Sequence, residues 1–522
     1  IKAKKSRNHT ELLCKYLKLP LKIKNKANHD YIEVNQAKKI KTLNYNIPSD
    51  ISSSAFFIVL TALTSNSKIT IKNTNINPSR IGVIKILKKM GVKIQFKNKQ
   101  KYKGEMLADI IVKSAKKLKS INCPQKWNSG AIDEFLVIFL VAAKAHGVSN
   151  DQLIQGAVDI LSDRFDEDFG GFGTGMKFPE PMHYTLLLRH WSQTGDCLTM
   201  LDKSLTAMAE GGLFDQLGGG FHRYSTDRKW LVPHFEKMLY DNGLLAKLFL
   251  DMFQATKQDI YQDTAKETFV WLLREMTSSE GAFYASQDAD SEGREGTWYT
   301  WELKETLNLL GPKHAKVFAQ AYGLTPRGHI DGRNVLHIKE RIEKLVESEN
   351  IPIFEADHIL KKGRETLFEA REKRPRPPRD EKIITAWNGL MITALAQGSS
   401  VLGDSSYLES ATRCADFIWS KQWQSGKLLR VYKDGQSKIN GCLDDYAYFL
   451  EGLIAIYESG LDSRWILRAR ELADAMILEF WDEGDGGFFL AGQSGERLIS
   501  PLKNPADEAL PSANAVAAQS LL

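Results

Sequence analysis

The 522-residue sequence predicts two folds in one chain: a mixed α/β segment over residues 1–149, then an all-α toroid of paired helices, (α/α)6, over residues 150–522. Three observations predict this. The charge reverses at the join: residues 1–149 carry 29 Lys+Arg against 8 Asp+Glu, and the rest carries 41 against 56. Strand and helix periodicities alternate in the first segment. In the second, helical periodicity dominates, and Gly-Gly-aromatic triplets recur between the helices.

In the first segment, residues 31–34, 68–71, 92–96 and 108–112 alternate like strands, while 52–64 and 80–90 read as helices. Asp50 is placed to cap the first of these helices, and Gly91 to stop the second. A last apolar helix is expected over residues 132–145. The lysines are interleaved with Asn and Ile and lack an aromatic stacking pattern. They therefore read as solvated faces, and no nucleic-acid partner is expected. The longest apolar run, residues 135–143, is too short to span a bilayer, and no signal-like core is present, so a cytoplasmic protein with no membrane partner is expected. The five cysteines are scattered, with no C-x-x-C pair, which indicates neither a disulfide framework nor a zinc site.

In the second segment the triplets fall at 170–172, 219–221 and 486–488, with the related Gly-Ala-Phe at 281–283, beside the helical patterns of 383–402, 407–422, 446–458 and 464–480. Helical hairpins joined by such turns stack side by side, and about six pairs close a toroid whose inter-hairpin loops line one mouth. Residues 371–382, with three prolines, read as a rigid basic loop.

The densest chemistry lies at 214–241. Glycines 218–220 permit a tight turn, residues 221–224 suit a short hairpin, and Pro233 is placed to start a helix. His222, Arg223, Tyr224, Trp230, His234, Glu236 and Asp241 crowd this stretch. Three further clusters belong with it: Asp288 and Asp290 in an acidic loop, Trp387 and Asn388 at a helix start, and Asp444 and Asp445 at another. The acidic loop imitates a calcium loop, but its twelfth position is Tyr299 and not Glu, so no metal is expected, and no cofactor. In a ring of hairpins these junctions recur on one face, so the clusters are expected to converge. His222 or His234 would carry protons, with Glu236 or an aspartate as complement, and Trp230 and Trp387 would offer stacking surface. The competing reading is a buried structural network in which the same side chains satisfy loop backbone groups. Asp444 or Asp445 would then simply cap a helix.

Two family resemblances add to this. SRNHTELL at 6–13, PSDISSSAFFIVLTAL at 48–63, NPSRIGVIKILKKMG at 77–91 and AIDEFLVIFLVAAKAHG at 131–147 resemble 3-phosphoshikimate 1-carboxyvinyltransferase (EPSP synthase). The resemblance implies βαβαββ units, with Asp133 as the catalytic carboxylate and Ser6 and Arg7 as shikimate-binding residues. It covers a middle portion of such an enzyme, so an incomplete, inactive segment is expected. GGFHRYSTDRKWLVPHFEKMLYD, FYASQDADSEGREGTWYTW, GRNVLH, ITAWNGLMITALA and CLDDYAYFLEGLIAIYE resemble the thioredoxin-domain-containing spermatogenesis-associated family. That family implies an (α/α)6 toroid similar to N-acylglucosamine 2-epimerases and other sugar-active enzymes. Here the toroid is expected to stop short of its final helix or hairpin, and the thioredoxin-like domain has no counterpart in the sequence. The leading expectation is a carbohydrate-active or carbohydrate-binding toroid with a small-molecule sugar as substrate. The alternatives are a non-catalytic or redox-accessory module, and a carboxyvinyltransferase of the shikimate pathway.

Overall fold

The computed structural model describes residues 2–4, 9–25, 29–35, 46–64, 66–115, 118–121, 138, 141, 150–483, 486–493 and 502–522. Ser6, Arg7 and Asp133, and nearly all of the expected helix at 132–145, lie outside the described residues. The chain divides into two compact units, residues 1–157 and 158–522. The division falls inside the helix Asn150–Arg164.

The first unit holds helices α1 (His9–Tyr16), α2 (Ile51–Leu63) and α3 (Gly82–Lys89). An antiparallel sheet of Lys68–Asn75, Glu105–Lys113 and Lys93–Tyr102, with the second of these strands central, packs with α2 and α3 over Ile58, Val83, Leu87 and Ile110. Asp50 caps α2 by accepting from the Ser53 N–H at 2.9 Å, and Gly91 follows α3 with φ 101°, both as expected. The strands run longer than their apolar alternation. The lysine-rich stretch after Phe96 pairs through to Tyr102↔Glu105, with a register shift between Lys97 and Gln100, because a hairpin joins the two strands without help from burial.

The second unit is the helical toroid. Five times among the described residues an outer helix leads through a turn to an inner helix. The outer helices are α4 (Asn150–Arg164), α6 (Leu198–Glu210), α8 (Asp259–Trp271), α13 (Ser405–Lys421) and α15 (Ser463–Phe480). The inner ones are α5 (Pro181–Thr194), α7 (Leu239–Thr256), α12 (Thr385–Leu402), α14 (Leu443–Gly460) and α16 (Ala513–Leu521). Helices α9 (Leu303–Ala321), α10 (Ile342–Glu349) and α11 (Ile353–Arg371) are inserted between the third turn and α12, around Trp301, Phe318 and Leu367. Since α12 packs directly on α7, this insertion is not a rung of the inner row. Among the described residues, no helix is long and apolar enough to cross a membrane.

Inner helices α7, α12 and α14 are buried nearly all round, as a helix enclosed by others must be. They run parallel. Tyr240 meets Trp387 and Gly243 meets Met391, while Gly389 meets Tyr448 and Gly452 meets Ile392, so contacts advance in the same direction on each pair. At Gly389 a Cβ would sit 2.5 Å from the Tyr448 carbonyl carbon, so α12 and α14 can approach this closely only with glycine there. Parallel packing places the starts of α7, α12 and α14 on one face.

The turns share one build. In Asp-x3-Gly-Gly-Phe, at Asp166–Phe172, Asp215–Phe221 and Asp482–Phe488, the aspartate N–H donates to the second glycine's carbonyl at 2.8, 3.0 and 2.9 Å. Both glycines have positive φ, 76° and 80° at Gly219 and Gly220, which a side chain would oppose. A lysine from downstream binds the aspartate and the first glycine's carbonyl together. Lys177 reaches Asp166 at 2.7 Å and Gly170 O at 2.5 Å, and Lys237 reaches Asp215 at 2.9 Å and Gly219 O at 2.7 Å. Lys503 does the same for Asp482 and Gly486. From the following inner helix, an asparagine amide holds both backbone groups of the turn phenylalanine: Asn242 on Phe221, Asn388 on Phe283 and Asn514 on Phe488.

The expected helix start at Pro233 is corrected. Pro233–His234 pairs with Tyr224–Ser225, and Lys237–Met238 pairs with Ser286–Gln287, so residues 233–238 are extended and α7 begins at Leu239. The helical spacing of Phe235 and Met238 is coincidental. The Met238 backbone pairs with Ser286 and the Phe235 N–H goes to the Glu295 carboxylate, 60 residues on, and local periodicity cannot register either.

Candidate functional site

The two short strands that replace the expected helix aim alternate side chains to opposite sides. Lys237 points inward to Asp215, while Glu236 and His234 point out to the face where the inner helices begin. Glu236 accepts from Arg223 at 2.9 Å and lies 3.7 Å from His234 Nε2. His234 Nδ1 is 2.7 Å from Glu295, which also accepts the Phe235 N–H. The Tyr224 ring stacks on His234 with centroids 5.0 Å apart. The Tyr240 phenol lies close enough to Arg223 to interact with it electrostatically, and its ring meets Trp387 edge-on at 4.9 Å. Asp241, the next residue of α7, is 6% exposed, and its Oδ2 has no protein partner. Burial pushes its carboxyl well above the usual carboxylate range; Arg223 pulls against this, and Glu236 adds to it. Burial and the neighbouring Asp241 push the Tyr240 phenol up to about 12.

Arg223, Tyr224, His234, Glu236, Asp241 and Trp387 therefore meet in one constellation. Asp288 and Asp290 stand on the hairpin that delivers Glu295, with Asp290 paired to Glu295 across Asp290–Ser291 and Arg294–Glu295. Both are exposed, and the Asp288 carboxylate accepts the Asp290 N–H. Asp445 joins from α14. Its Oδ1 accepts the Ala386 N–H, one residue before Trp387, and its Oδ2 binds Arg430 at 2.9 Å and closes a capping box with Cys442. Burial raises the Asp445 carboxyl to about 6, against the pull of Arg430. Asp444 opens instead onto a cavity of about 270 Å³ between α14 and α16, with Tyr448, Asn504, Glu508 and Asn514 on its walls.

Three candidates sit where ligand chemistry is closed to them. Trp230 is fully buried, with its indole N–H on Gly170 O and its ring beneath Lys177, so no face is open for stacking. His222 is 2% exposed, hydrogen-bonded to Phe235 O at 2.9 Å, and lowered to about 3 by burial and then by Lys237. It stays neutral across the physiological range and cannot shuttle protons there. Asn388 spends its amide on Phe283 and Ile384. For these three the structural network is the better account.

Sequence reasoning missed Glu295, Tyr240 and the buried ion cluster behind the site. Asp215 takes Arg371 at 2.8 Å as well as Lys237, all within a few per cent of full burial. Burial would raise the Asp215 carboxyl, but Arg371 and Lys237 override it and hold it well below the usual range. Arg371 comes from the far end of α11, so nothing in local sequence joins it to Asp215. Asp166, Asp215 and Asp482 at identical spacing from Gly-Gly-Phe were the available signal. Among the described residues, no group of three or more His, Cys, Asp and Glu is placed to hold a metal ion.

Comparison with known proteins matches the EPSP synthase (3-phosphoshikimate 1-carboxyvinyltransferase) family model to residues 1–166. The 3-phosphoshikimate 1-carboxyvinyltransferase of Legionella pneumophila (strain Paris) is 40% identical over 142 residues, 27% of this chain and 32% of that protein. Spermatogenesis-associated protein 20 of Homo sapiens is 35% identical over 404 residues, 69% of this chain and 51% of that protein. The chain thus spans about half the length of this relative. Among solved structures, a family 76 glycoside hydrolase from a bovine Bacteroides thetaiotaomicron strain is similar at 12% identity and TM-score 0.43, over 73% of this chain and 66% of that one.

Proposed function

We propose, for a chain whose first segment is similar to EPSP synthase and whose helical region is similar to spermatogenesis-associated protein 20, that the toroid acts on a small sugar as an epimerase or isomerase, moving a proton at the carbon next to the carbonyl. The observation that carries this reading is Asp241: a buried carboxyl whose surroundings favour its acid form, with one oxygen unpartnered, in the same constellation as the Glu236 carboxylate paired to Arg223. A buried carboxyl that keeps its proton and a second carboxylate paired to a cation offer an acid and a base in one site. Glu236 takes the proton from the sugar carbon. The C–H electron pair becomes the double bond of an enediolate, and the carbonyl pair moves onto oxygen beside the Arg223 guanidinium. Asp241 returns a proton to the carbon, and exchange with solvent resets both carboxyl groups. Trp387 and Tyr224 wall the site, and His234 is held in place by Glu295.

The test follows the carbon-bound proton. The full chain is incubated in D2O with glucose, mannose and N-acetylglucosamine, and deuterium uptake at C2 is followed by NMR. Uptake is expected with at least one sugar, falling at least 100-fold in Glu236→Gln and in Asp241→Asn. No uptake from any of the three, or uptake that survives both substitutions, refutes the assignment.

A further inference from the structure

One large aromatic side chain beside the site has no role in this scheme. Phe178 is 49% exposed, and Met176, two residues before it, is 55% exposed. Singly exposed apolar residues are ordinary on protein surfaces. Phe178, however, is held in position. The preceding residue, Lys177, exchanges two backbone hydrogen bonds with Ser225, at 2.9 and 2.8 Å, so a single antiparallel bridge ties the segment to the strand Tyr224–Ser225, which pairs on to Pro233–His234. The Lys177 side chain is 1% exposed and tied to Asp166 and Gly170, which anchors that segment in the turn below.

From this fixed backbone the Phe178 ring packs on Tyr224, with centroids 4.7 Å apart and planes 33° apart. Tyr224 in turn stacks on His234, 5.0 Å away at 26°. Three rings therefore make one stack. Its inner end is His234, 3.7 Å from Glu236, and its outer end is the half-exposed ring of Phe178. Trp387 bounds the other side of the polar centre through Tyr240. The site thus continues outward on one side, and the continuation is purely apolar: Phe178 can neither donate nor accept a hydrogen bond.

We infer that Phe178 is the platform of a second sugar subsite, and that the toroid's substrate class is a disaccharide, or the last two rings of a longer saccharide, with the reacting ring at Glu236 and Asp241 and its neighbour on Phe178. This rests on the carbohydrate reading of the site. The apolar C–H face of a pyranose covers an aromatic face of this size and removes both from water, while its rim hydroxyls stay solvated. Such a platform adds affinity without taking part in proton transfer, so it belongs beside the reacting ring and not over it. Rigidity matters because a platform already held in place loses no side-chain freedom on binding.

The test is calorimetric titration of the full chain with glucose and mannose and with the β-1,4-linked disaccharide of each. At least one disaccharide is expected to bind tenfold or more tightly than its monosaccharide, with the ratio falling close to one in Phe178→Ala and being kept in Phe178→Trp. Circular dichroism and thermal unfolding of both variants check that the fold is intact. If monosaccharides bind but the ratio is already near one, or is unchanged in Phe178→Ala, the subsite is refuted and the carbohydrate reading stands. If none of the four sugars binds, the subsite is refuted; if N-acetylglucosamine, titrated alongside them, also fails to bind, the carbohydrate reading is refuted with it.

Discussion

The toroid carries two sets of buried or half-buried aspartates, and the surroundings drive them in opposite directions. Asp166 and Asp215, in the turns, lie against lysine and arginine, and both carboxyl groups are held below the usual range although burial alone would raise them. Asp241, Asp444 and Asp445, at the starts of inner helices, are raised, in each case first by burial. The difference lies in how far each charge is compensated. Asp166 and Asp215 each have two cations within 2.9 Å, Lys177 with Arg228 and Lys237 with Arg371, whereas Asp445 has Arg430 alone, and Asp241 shares Arg223 with Glu236 and keeps one oxygen unpartnered. Full compensation makes a carboxylate a structural tie; partial compensation leaves a proton that can be moved.

The strongest way to break this comparison is to remove a tie. Lys237→Met leaves Asp215 buried with Arg371 alone, and Asp215→Ala leaves both cations buried without a counter-charge. Each is expected to lower stability by about 3–5 kcal/mol, measured by urea unfolding. If the turn ties hold the fold together, this loss should exceed that of any site substitution. A loss below about 1 kcal/mol for both variants would make the clamp incidental.

A smaller effect separates the sets by the sign of their pH dependence. Asp445 is at about 6 in the folded chain and near the ordinary value when unfolded, so between about pH 4 and pH 6 the native state keeps a proton that the unfolded state has lost. Its contribution therefore falls as pH rises through that window, by up to about 3 kcal/mol. Asp215 runs the other way: its contribution is full above the unfolded value and is lost as pH falls towards its lowered folded value. Asp445→Asn keeps an acceptor for the Ala386 N–H, and it should remove the decline between pH 4 and pH 6 while leaving the acid limb in place. A decline that persists unchanged would locate the titration elsewhere.

Within the turns, the same motif should weaken with exposure. Lys503 and Asp482 retain 28% and 17% side-chain exposure, against 0% and 5% for Lys237 and Asp215. Lys503→Met is accordingly expected to cost only about 1 kcal/mol. A cost equal to that of Lys237→Met would show that geometry, and not burial, sets the strength of the clamp.

What could be read in the sequence follows the same division between local and distant causes. The Gly-Gly-aromatic turns, the helices α12 to α15 and the Asp50 cap were legible because their determinants lie within a few residues. The convergence of Arg223, His234, Glu236, Asp241 and Trp387 was legible too, since each stands at a turn or helix start and such junctions share a face. The extended stretch 233–238 was not, because its partners are Tyr224–Ser225 and Ser286–Gln287. Nor was the pairing of Asp215 with Arg371, 156 positions apart. Trp230 and Asn388 looked like ligand groups because aromatic and amide side chains near glycines suit a pocket wall and a turn clamp equally well, and burial decides between them.

The smallest expected change in stability belongs to the site itself, and there the comparison becomes a statement about function. Arg223 and Glu236 keep 42% and 24% side-chain exposure, so their ion pair is solvent-screened and worth about 0–1 kcal/mol to the fold. Glu236→Gln preserves an acceptor for Arg223 and removes only the capacity to take a proton. Asp241→Asn replaces a carboxyl already held in its acid form by an isosteric neutral amide, so no buried charge is created and stability should hold or rise. Both variants should unfold within about 1 kcal/mol of the parent chain while losing deuterium exchange into sugar, the reverse of Lys237→Met measured at a denaturant concentration where the variant remains folded. Large stability losses in both site variants would place Glu236 and Asp241 among the structural ties and dissolve the distinction between the two sets.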